Sequence, residues 1–136
     1  MTEFVSRSLT DTDIFAKELV SELKGTEVIA LFGDLGAGKT TLVRSIAEHL
    51  DIHSGVHSPT FAIVNEYQGK FLVYHFDMYR ITDVDDLYST GYFDYLSKGI
   101  VIIEWSENVL DSIPDDAIRI ELKYGEDENT RIFRRM

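Results

Sequence analysis

Two short stretches of the chain are almost wholly apolar, and they stand apart from longer amphipathic segments. VIALF (28–32) and GIVIIEW (99–105) consist mostly of aliphatic side chains, many of them β-branched. Runs of this kind are typical of strands that are buried on both faces of a parallel sheet. We therefore predict two inner strands of the parallel type.

The segment 9–25, LTDTDIFAKELVSELKG, repeats its apolar side chains at the spacing of an α-helix. Thr10 is the expected N-cap, with Asp13 three residues later as in a capping box, and Gly25 is expected to end the helix. The apolar stripe of this helix consists of Ile14, Phe15, Leu19 and Leu23. A second helix is predicted for TTLVRSIAEHL (40–50), which has the same periodicity.

Two antiparallel hairpins are predicted from alternating patterns around polar turns. FAIVNEYQGKFLVYHFDMY (61–79) alternates on both sides of a turn at 68–70. AIRIELKY (117–124) and TRIFRR (130–135) form a second pair, which we expect to close one edge of the sheet.

Two further segments complete the predicted elements. VDDLYSTGYFDYL (84–96) is expected to form helical turns broken at Gly91, and TEFVSRS (2–8) to form a short strand. Together with the hairpins and the parallel-type strands, they predict an α/β sandwich with a mixed, partly antiparallel sheet.

Composition places the chain among single globular domains. Its 136 residues are 44% hydrophobic and 12% aromatic, enough to bury a core, so we expect one domain over 1–136. No apolar run approaches the ~20 residues of a membrane span, and the N-terminus does not have the pattern of a secretory signal. Without cysteine, disulfides and thiolate zinc sites are excluded. A cytoplasmic protein with no membrane partner is expected.

The chain is strongly acidic. Thirteen Lys and Arg stand against twenty-four Asp and Glu, which gives a net charge of −11. Because nucleic-acid binders gain affinity from cations that neutralise phosphates, most of this surface should repel RNA and DNA. A role in a nucleic-acid pathway would therefore run through a partner protein. The acidic positions are interpreted as solvated surface or, alternatively, as a docking face for a basic partner.

The loop after VIALF carries a complete phosphate-binding motif. Its residues match G-x-x-x-x-G-K-[ST] as Gly33, Asp34, Leu35, Gly36, Ala37, Gly38, Lys39 and Thr40. Glycines let successive backbone N–H groups surround phosphate oxygens, and the following helix adds its positive N-terminal end. Lys39 is placed for the β- and γ-phosphates, Thr40 for Mg²⁺, and Thr41 for the α-phosphate. The motif predicts a P-loop NTPase-like, three-layer sandwich that binds a nucleoside triphosphate.

ATP is the expected nucleotide. Guanine-specific P-loop proteins usually carry an [NT]-K-x-D element late in the chain, and this sequence has none. P-loop proteins also need an acidic residue at the end of a neighbouring strand to hold the Mg²⁺ shell. Glu104 ends the strand IVIIE, and Asp77 ends VYHFD. Glu104 is the preferred candidate because a hydrophobic run delivers it to the ligand-binding edge of the sheet.

Other candidate residues admit two interpretations each. Ser58 and Thr60, in HSPTF, are expected either to approach Mg²⁺ or the terminal phosphate, or to belong to an ordinary loop. His75 is interpreted as a packed or hydrogen-bonded histidine, since the histidine spacing does not indicate a metal cluster. Trp105 is either a core anchor or a site residue beside Glu104. Arg131 is a candidate to reach the nucleotide from the last strand.

Four segments in order, GDLGAGKTTLVR, SPTFAIVNEY, YHFDMYRI and IIEWSE, closely resemble the TsaE (YjeE) family of small bacterial P-loop ATPases. The resemblance covers about residues 8–131. It implies a part in the threonylcarbamoyladenosine modification of tRNA, in which the ATPase docks on a complex of TsaD and TsaB and its ATP cycle keeps that complex turning over. Contact with tRNA would be only indirect.

The resemblance also implies roles for individual residues. Thr40 and Glu104 would be the Mg²⁺ ligands, and 36–41 would hold the phosphates. The segment 58–61 would act as a switch, with Asp77 beside the site and Trp105 next to Glu104. The N-terminal segment would also approach the nucleotide, which would involve Thr10 to Thr12.

Two alternatives to a partner-coupled ATPase remain at this point. One is a small kinase of a metabolite or nucleoside, although the arginines are scattered and the chain is short for a lid. The other is a nucleotide-dependent switch with negligible hydrolysis. A partner-coupled ATPase should hydrolyse ATP slowly alone, because no residue is obviously placed as a built-in arginine finger, and such a finger can supply ~10³–10⁵-fold.

Overall fold

A single mixed sheet organises the chain in a computed structural model that describes residues 2–33, 39–53 and 64–136. Its strands are β1 (Thr2–Ser6), β2 (Val28–Gly33), β3 (Val64–Gln68), β4 (Leu72–Asp77), β5 (Ile100–Glu104), β6 (Ile118–Tyr124) and β7 (Arg131–Arg135). Its helices are α1 (Leu9–Ser21), α2 (Lys39–His49), α3 (Val84–Ser89) and α4 (Tyr92–Tyr95), with a segment of 3₁₀ type at Ser106–Ser112.

The order of the strands across the sheet is β1-β7-β6-β2-β5-β4-β3. The four strands β4, β5, β2 and β6 run parallel to one another in register, whereas β3, β7 and β1 pair antiparallel with their neighbours. The predicted α/β architecture with a mixed, partly antiparallel sheet is confirmed. The predicted hairpin between β3 and β4 and the two buried parallel strands are also present.

The prediction that β6 and β7 close an edge of the sheet is wrong. β6 lies inside the sheet, hydrogen-bonded in parallel to β2, and β7 is covered by the N-terminal strand β1. The aromatic rings explain why β1 docks there. Phe4 lies 5.3 Å from Phe15 of α1 and 6.3 Å from Phe133 of β7, measured between ring centroids. Such pairs contribute ~0.5–1.5 kcal/mol each beyond their burial, which holds β1 at the edge.

The two faces of the sheet bury separate apolar clusters, and together they give three layers. Ile29 and Leu31 of β2 pack with α1 and α2 on one face. Ala30 and Phe32 point to the other face, where α3, α4 and the 3₁₀ segment cover them. Successive side chains of a strand alternate between faces, so a wholly apolar β2 serves both clusters.

The N-cap of helix α1 is Ser8, two residues earlier than Thr10, the predicted N-cap. Ser8 has extended backbone and its hydroxyl accepts the Asp11 N–H at 3.1 Å. The Asp11 carboxylate accepts the Arg7 N–H at 2.9 Å, so Asp11, and not Asp13, makes the return bond near this helix start. Ser8 and Thr10 are both suitable caps, and because β1 ends at Ser6, Ser8 is the first hydroxyl residue after the strand.

The buried side of α1 also differs from the predicted stripe at one position. Leu19 and Leu23 are buried as predicted, and Phe15 is partly buried, but Ile14 is 46% exposed. The buried face instead includes Thr12, Ala16, Leu19 and Val20. Thr12 is therefore directed inward, toward the region where α1 approaches the start of α2.

The break predicted at Gly91 is present. Gly91 has φ +79 and separates α3 from α4. Gly25 also has positive φ, +128, but α1 ends at Ser21, four residues before it. Among the described helices, none has the length and apolar character needed to cross a bilayer.

Candidate functional site

The carboxyl ends of three adjacent parallel strands meet at one edge of the sheet. Gly33 ends β2, Glu104 ends β5 and Asp77 ends β4, and Asp77 is the register partner of Glu104. Helix α2 begins at Lys39, so its N-terminal end belongs to the same edge. In α/β sheets this is where ligands bind, because the strand ends and helix N-termini converge there.

Glu104 and Thr40, the two predicted Mg²⁺ ligands, are brought together. Glu104 is only 4% exposed, and its Oε1 lies 3.4 Å from Oγ1 of Thr40 on the first turn of α2. Two neighbouring ligands of an octahedral Mg²⁺ at ~2.0–2.1 Å lie about 3 Å apart. The pair therefore fits a Mg²⁺ site with two protein oxygens.

The side chain of Lys39 makes two contacts within the described site. Its Nζ donates to the carbonyl oxygen of Gly33 at 2.7 Å and lies 4.1 Å from the ring centroid of Trp105. The side chain is 5% exposed, so this cation–π contact is shielded from water and correspondingly stronger. Trp105 itself has φ +60, and the ring of Tyr79 packs on it at 4.9 Å. Trp105 is also partly buried against the apolar cluster on the face of α3 and α4, so it packs on the core and lies beside Lys39 at the same time.

Gly33 is required by its surroundings as well as by the motif. Its φ is +134, and a Cβ there would collide with the backbone oxygen of Leu122 on β6. The Gly33 N–H donates to Oε2 of Glu107 at 2.8 Å. Glu107 was missed as a candidate, although it lies three residues after Glu104 within IIEWSE. The spacing of three residues could have indicated Glu107, because one turn of 3₁₀ type after β5 brings the chain back to the carboxyl ends of the strands.

Asp77 lies beside Glu104 in the strand register, at the end of β4. Its Oδ1 accepts the N–H of Tyr79 at 3.0 Å. Asp77 therefore shapes the turn that brings Tyr79 over Trp105. The structure places it next to the pair of Thr40 and Glu104 through the strand register.

His75 is completely buried, and its Nε2 lies 2.6 Å from Oε2 of Glu104. The prediction of a hydrogen-bonded histidine is confirmed. Its partner was not foreseen, because the contact joins β4 to β5, and two helices separate these strands in the chain. Among the described residues, no group of three or more His, Asp or Glu side chains is arranged to hold a metal ion. Mg²⁺ commonly uses only one or two protein carboxylate or hydroxyl oxygens and completes its shell with water and phosphate.

A surface cleft of about 460 Å³ adjoins the start of α2, and three predicted nucleotide-binding residues line it. They are Thr12 of α1, Thr41 of α2 and Arg131 of β7. The Oγ1 of Thr12 lies 2.7 Å from Oγ of Ser6, which also lines the cleft. The Arg131 guanidinium donates to the carbonyl oxygen of Glu128 at 2.7 Å and lies 4.6 Å from the centre of the Tyr124 ring.

Several predicted site residues lie outside the described residues. They are Asp34, Leu35, Gly36, Ala37 and Gly38 of the phosphate-binding motif, and Ser58 and Thr60 of the segment 58–61. The described site therefore consists of the two ends of the motif, the acidic strand end and the cleft.

The chain is similar to known proteins over nearly its whole length. The family model described as threonylcarbamoyl adenosine biosynthesis protein TsaE matches residues 6–133. The tRNA threonylcarbamoyladenosine biosynthesis protein TsaE of Aquifex aeolicus is 39% identical over 140 residues, covering 99% of this chain and 98% of that protein. The protein of the same name from Bacillus subtilis is 37% identical over 124 residues, covering 90% of this chain and 77% of that protein.

The fold is similar to a solved structure as well. A crystal structure of YdiB from Bacillus subtilis superposes with a TM-score of 0.74 at 30% identity, over 97% of this chain and 82% of that chain. The P-loop by itself would fit many families, but the family match includes the strand ends that carry Asp77 and Glu104. This chain belongs to the TsaE family.

Proposed function

We propose that this chain is a Mg²⁺-dependent ATPase that assists a complex of TsaD and TsaB in the threonylcarbamoyladenosine modification of tRNA. The observation that carries the ATPase part is the 3.4 Å approach of Thr40 Oγ1 to Glu104 Oε1 at the end of the phosphate-binding motif. The family membership and the names of the related proteins support the pathway.

ATP binding is supported by the charges and the space around α2. Lys39 is the buried cation at the start of the helix, and the N-terminal end of α2 adds a positive partial charge. The cleft lined by Thr12, Thr41 and Arg131 begins next to them and offers room for the rest of a nucleotide. In this proposal the phosphates would lie at the start of α2 and the nucleoside would lie in the adjoining cleft.

The site residues fit Mg²⁺ because hydroxyl and carboxylate oxygens are the hard ligands that this ion prefers. Thr40 and Glu104 would hold it, and when bound it supplies positive charge that stabilises the negative charge of the transferring phosphate. Lys39 would leave the Gly33 carbonyl and donate to phosphate oxygens. Glu107 would keep the beginning of the loop in place through the Gly33 N–H.

Dependence on a partner is supported by the charge of the chain. With a net charge of −11, most of the surface is unsuited to gripping tRNA directly. An ATPase of this kind would act on the modification through protein contacts, and its own turnover would be slow until a partner completes the site.

The test is ATP turnover with and without the TsaD–TsaB complex, for the native chain and two variants. We expect slow release of phosphate to water, stimulation by the complex, and a loss of at least ~10²-fold in both Lys39→Ala and Glu104→Ala, because each removes a preorganised charge. Lys98→Ala and Glu48→Ala, which change exposed residues at the opposite ends of β5 and α2, serve as matched controls.

Two results would contradict the proposal in different ways. If the complex neither binds the chain nor changes its turnover, the partner assignment is wrong. If labelled phosphate from ATP appears on an added metabolite or nucleoside instead of in water, the chain is a kinase.

A further inference from the structure

We propose that His75 is a positioning residue for the candidate Mg²⁺ site. It holds Oε2 of Glu104, so that Oε1 of the same carboxylate faces Thr40. The inference rests on the proposed function, since it assigns a role within the same site. It concerns a buried imidazole that the phosphate-binding motif does not include.

The parallel pairing of β4 and β5 places His75 and Glu104 on one face of the sheet. His75 is the register partner of Ile102, and Asp77 that of Glu104, so His75 and Glu104 are diagonal neighbours. Ile102 packs in the apolar cluster under α1 and α2. Since side chains two residues apart on a strand share a face, His75 and Glu104 both point toward the layer that contains α2.

The polar contact of the His75 ring is directed at the carboxylate. Nε2 lies 2.6 Å from Glu104 Oε2, while Nδ1 has no hydrogen-bond partner among the described residues. When Glu104 is ionised, as a Mg²⁺ ligand is, its carboxylate only accepts hydrogen bonds, and Nε2 would then be the donor. Burying an imidazole with one nitrogen unpaired costs free energy that an aliphatic side chain would not. The bond to Glu104 is therefore the contact that distinguishes histidine from a simple core residue at this position.

The two oxygens of Glu104 consequently have different neighbours. Oε2 is bonded to His75, and Oε1 is turned toward Thr40 Oγ1 at 3.4 Å. A glutamate side chain has three rotatable bonds, and fixing its head group before the metal arrives removes part of the entropy cost of binding. Partners that orient a metal ligand in this way typically change metal affinity or activity by ~10–100-fold when they are mutated.

The experiment compares His75→Leu with His75→Gln and His75→Asn in the full chain. The affinity for a non-hydrolysable ATP analogue is measured by calorimetry at a series of Mg²⁺ concentrations. The same measurement is repeated in EDTA, where no Mg²⁺ is free. We expect His75→Leu to raise, by about 10–100-fold, the Mg²⁺ concentration at which half of the Mg²⁺-dependent gain in analogue affinity is reached. Binding of the analogue in EDTA should be unchanged. His75→Gln should recover much of the Mg²⁺ dependence, because its amide nitrogen reaches about as far as Nε2, whereas the shorter Asn should not.

The outcomes separate this inference from the proposed function. A native chain whose nucleotide binding does not depend on Mg²⁺ overturns both. A native chain with Mg²⁺-dependent binding that His75→Leu leaves unaltered overturns the role of His75 alone. If His75→Leu does not fold, equal Mg²⁺ dependence in the Gln and Asn variants has the same meaning.

Discussion

Oγ1 of Thr40 lies 3.4 Å from Oε1 of Glu104, although the two residues are 64 positions apart in the chain. Thr40 lies at the start of α2, the helix that follows β2 in the chain. Glu104 is the last residue of β5, the strand that pairs with β2. Parallel pairing aligns the ends of these strands, so the contact is a consequence of topology. The fold thus assembles a hydroxyl and a carboxylate at the edge where a phosphate would bind.

The contact between Lys39 and Trp105 predicts that nucleotide binding changes the fluorescence of the tryptophan. Trp105 is the only tryptophan of the chain, and the Lys39 ammonium lies 4.1 Å from its ring centroid. Binding of ATP with Mg²⁺ should draw the ammonium to phosphate oxygens and change the tryptophan emission. The measurement is fluorescence during titration with non-hydrolysable ATP analogue, with Mg²⁺ alone as the control. Binding seen by calorimetry without any change in emission would contradict this prediction.

The backbone at Gly33 predicts a large loss of stability on substitution. Gly33→Ala should lower the free energy of unfolding by at least ~1–3 kcal/mol, because φ +134 strains any other residue and the new Cβ would meet the Leu122 carbonyl. Gly91→Ala is the matched control, since Gly91 also has positive φ but an added Cβ there would meet only Tyr95 at ordinary distance. Urea denaturation of both variants should rank Gly33→Ala as the less stable. Equal losses would show that the approach of Leu122 is unimportant.

Arg131 predicts an effect on nucleotide affinity. Arg131→Ala should weaken ATP binding by about 10–150-fold, because a hydrogen bond to a charged group contributes ~1.5–3 kcal/mol and Arg131 lines the cleft. Binding curves from calorimetry provide the measurement. Arg134→Ala is the control, since Arg134 projects to the opposite face of β7 and pairs with Glu121 at 3.6 Å. If both variants bind ATP like the native chain, the nucleotide does not reach Arg131.

Tyr92 predicts a pH dependence of stability in alkali. Burial raises the pKa of Tyr92 from 10.0 to about 12, and its hydroxyl donates to the Ser112 carbonyl at 2.8 Å. A group whose pKa is raised by folding contributes stability that is present below its unfolded pKa and lost as the pH rises through the folded one. The free energy of unfolding should therefore fall between about pH 10 and 12.

The variant that checks this assignment is Tyr92→Phe, which should be less stable at neutral pH by ~0.5–1.5 kcal/mol because the Ser112 carbonyl loses its donor. Its stability should also fall less steeply from pH 10 to 12 than that of the native chain. Tyr88→Phe, at an exposed tyrosine, is the control. Identical slopes for Tyr92→Phe and the native chain would exclude Tyr92 as the titrating group.

Features that depend on neighbouring residues in the chain were predictable from the sequence. The apolar run before Gly33, the helix after it and the acid that ends β5 are all local patterns, so these elements of the candidate site could be predicted from the sequence. The pairing of strands that are distant in the chain could not be predicted from such local patterns. The position of β6 inside the sheet depends on its hydrogen bonds to β2, and the edge position of β1 depends on the packing of Phe4.

The same distinction explains the two site contacts that were missed. Glu107 was unassigned because its partner is the Gly33 N–H, 74 positions away. The bond from His75 to Glu104 requires β4 and β5 to be adjacent, although two helices separate them in the chain. Even the cap of α1 depended on where β1 ends, since Ser8 and Thr10 are both suitable residues locally.

The joint role of Thr40 and Glu104 is tested most directly by a double-mutant cycle on ATP turnover at fixed Mg²⁺. Thr40→Val removes the hydroxyl oxygen and Glu104→Gln removes the negative charge of the carboxylate, both with little change in volume, and each alone should reduce turnover by ~10²-fold. If both residues hold the same ion, the double variant should be no worse than the poorer single variant within a few-fold, because groups that act as a unit are not additive. Losses that multiply to ~10⁴-fold would show that the two residues act independently, and would contradict a shared Mg²⁺ site.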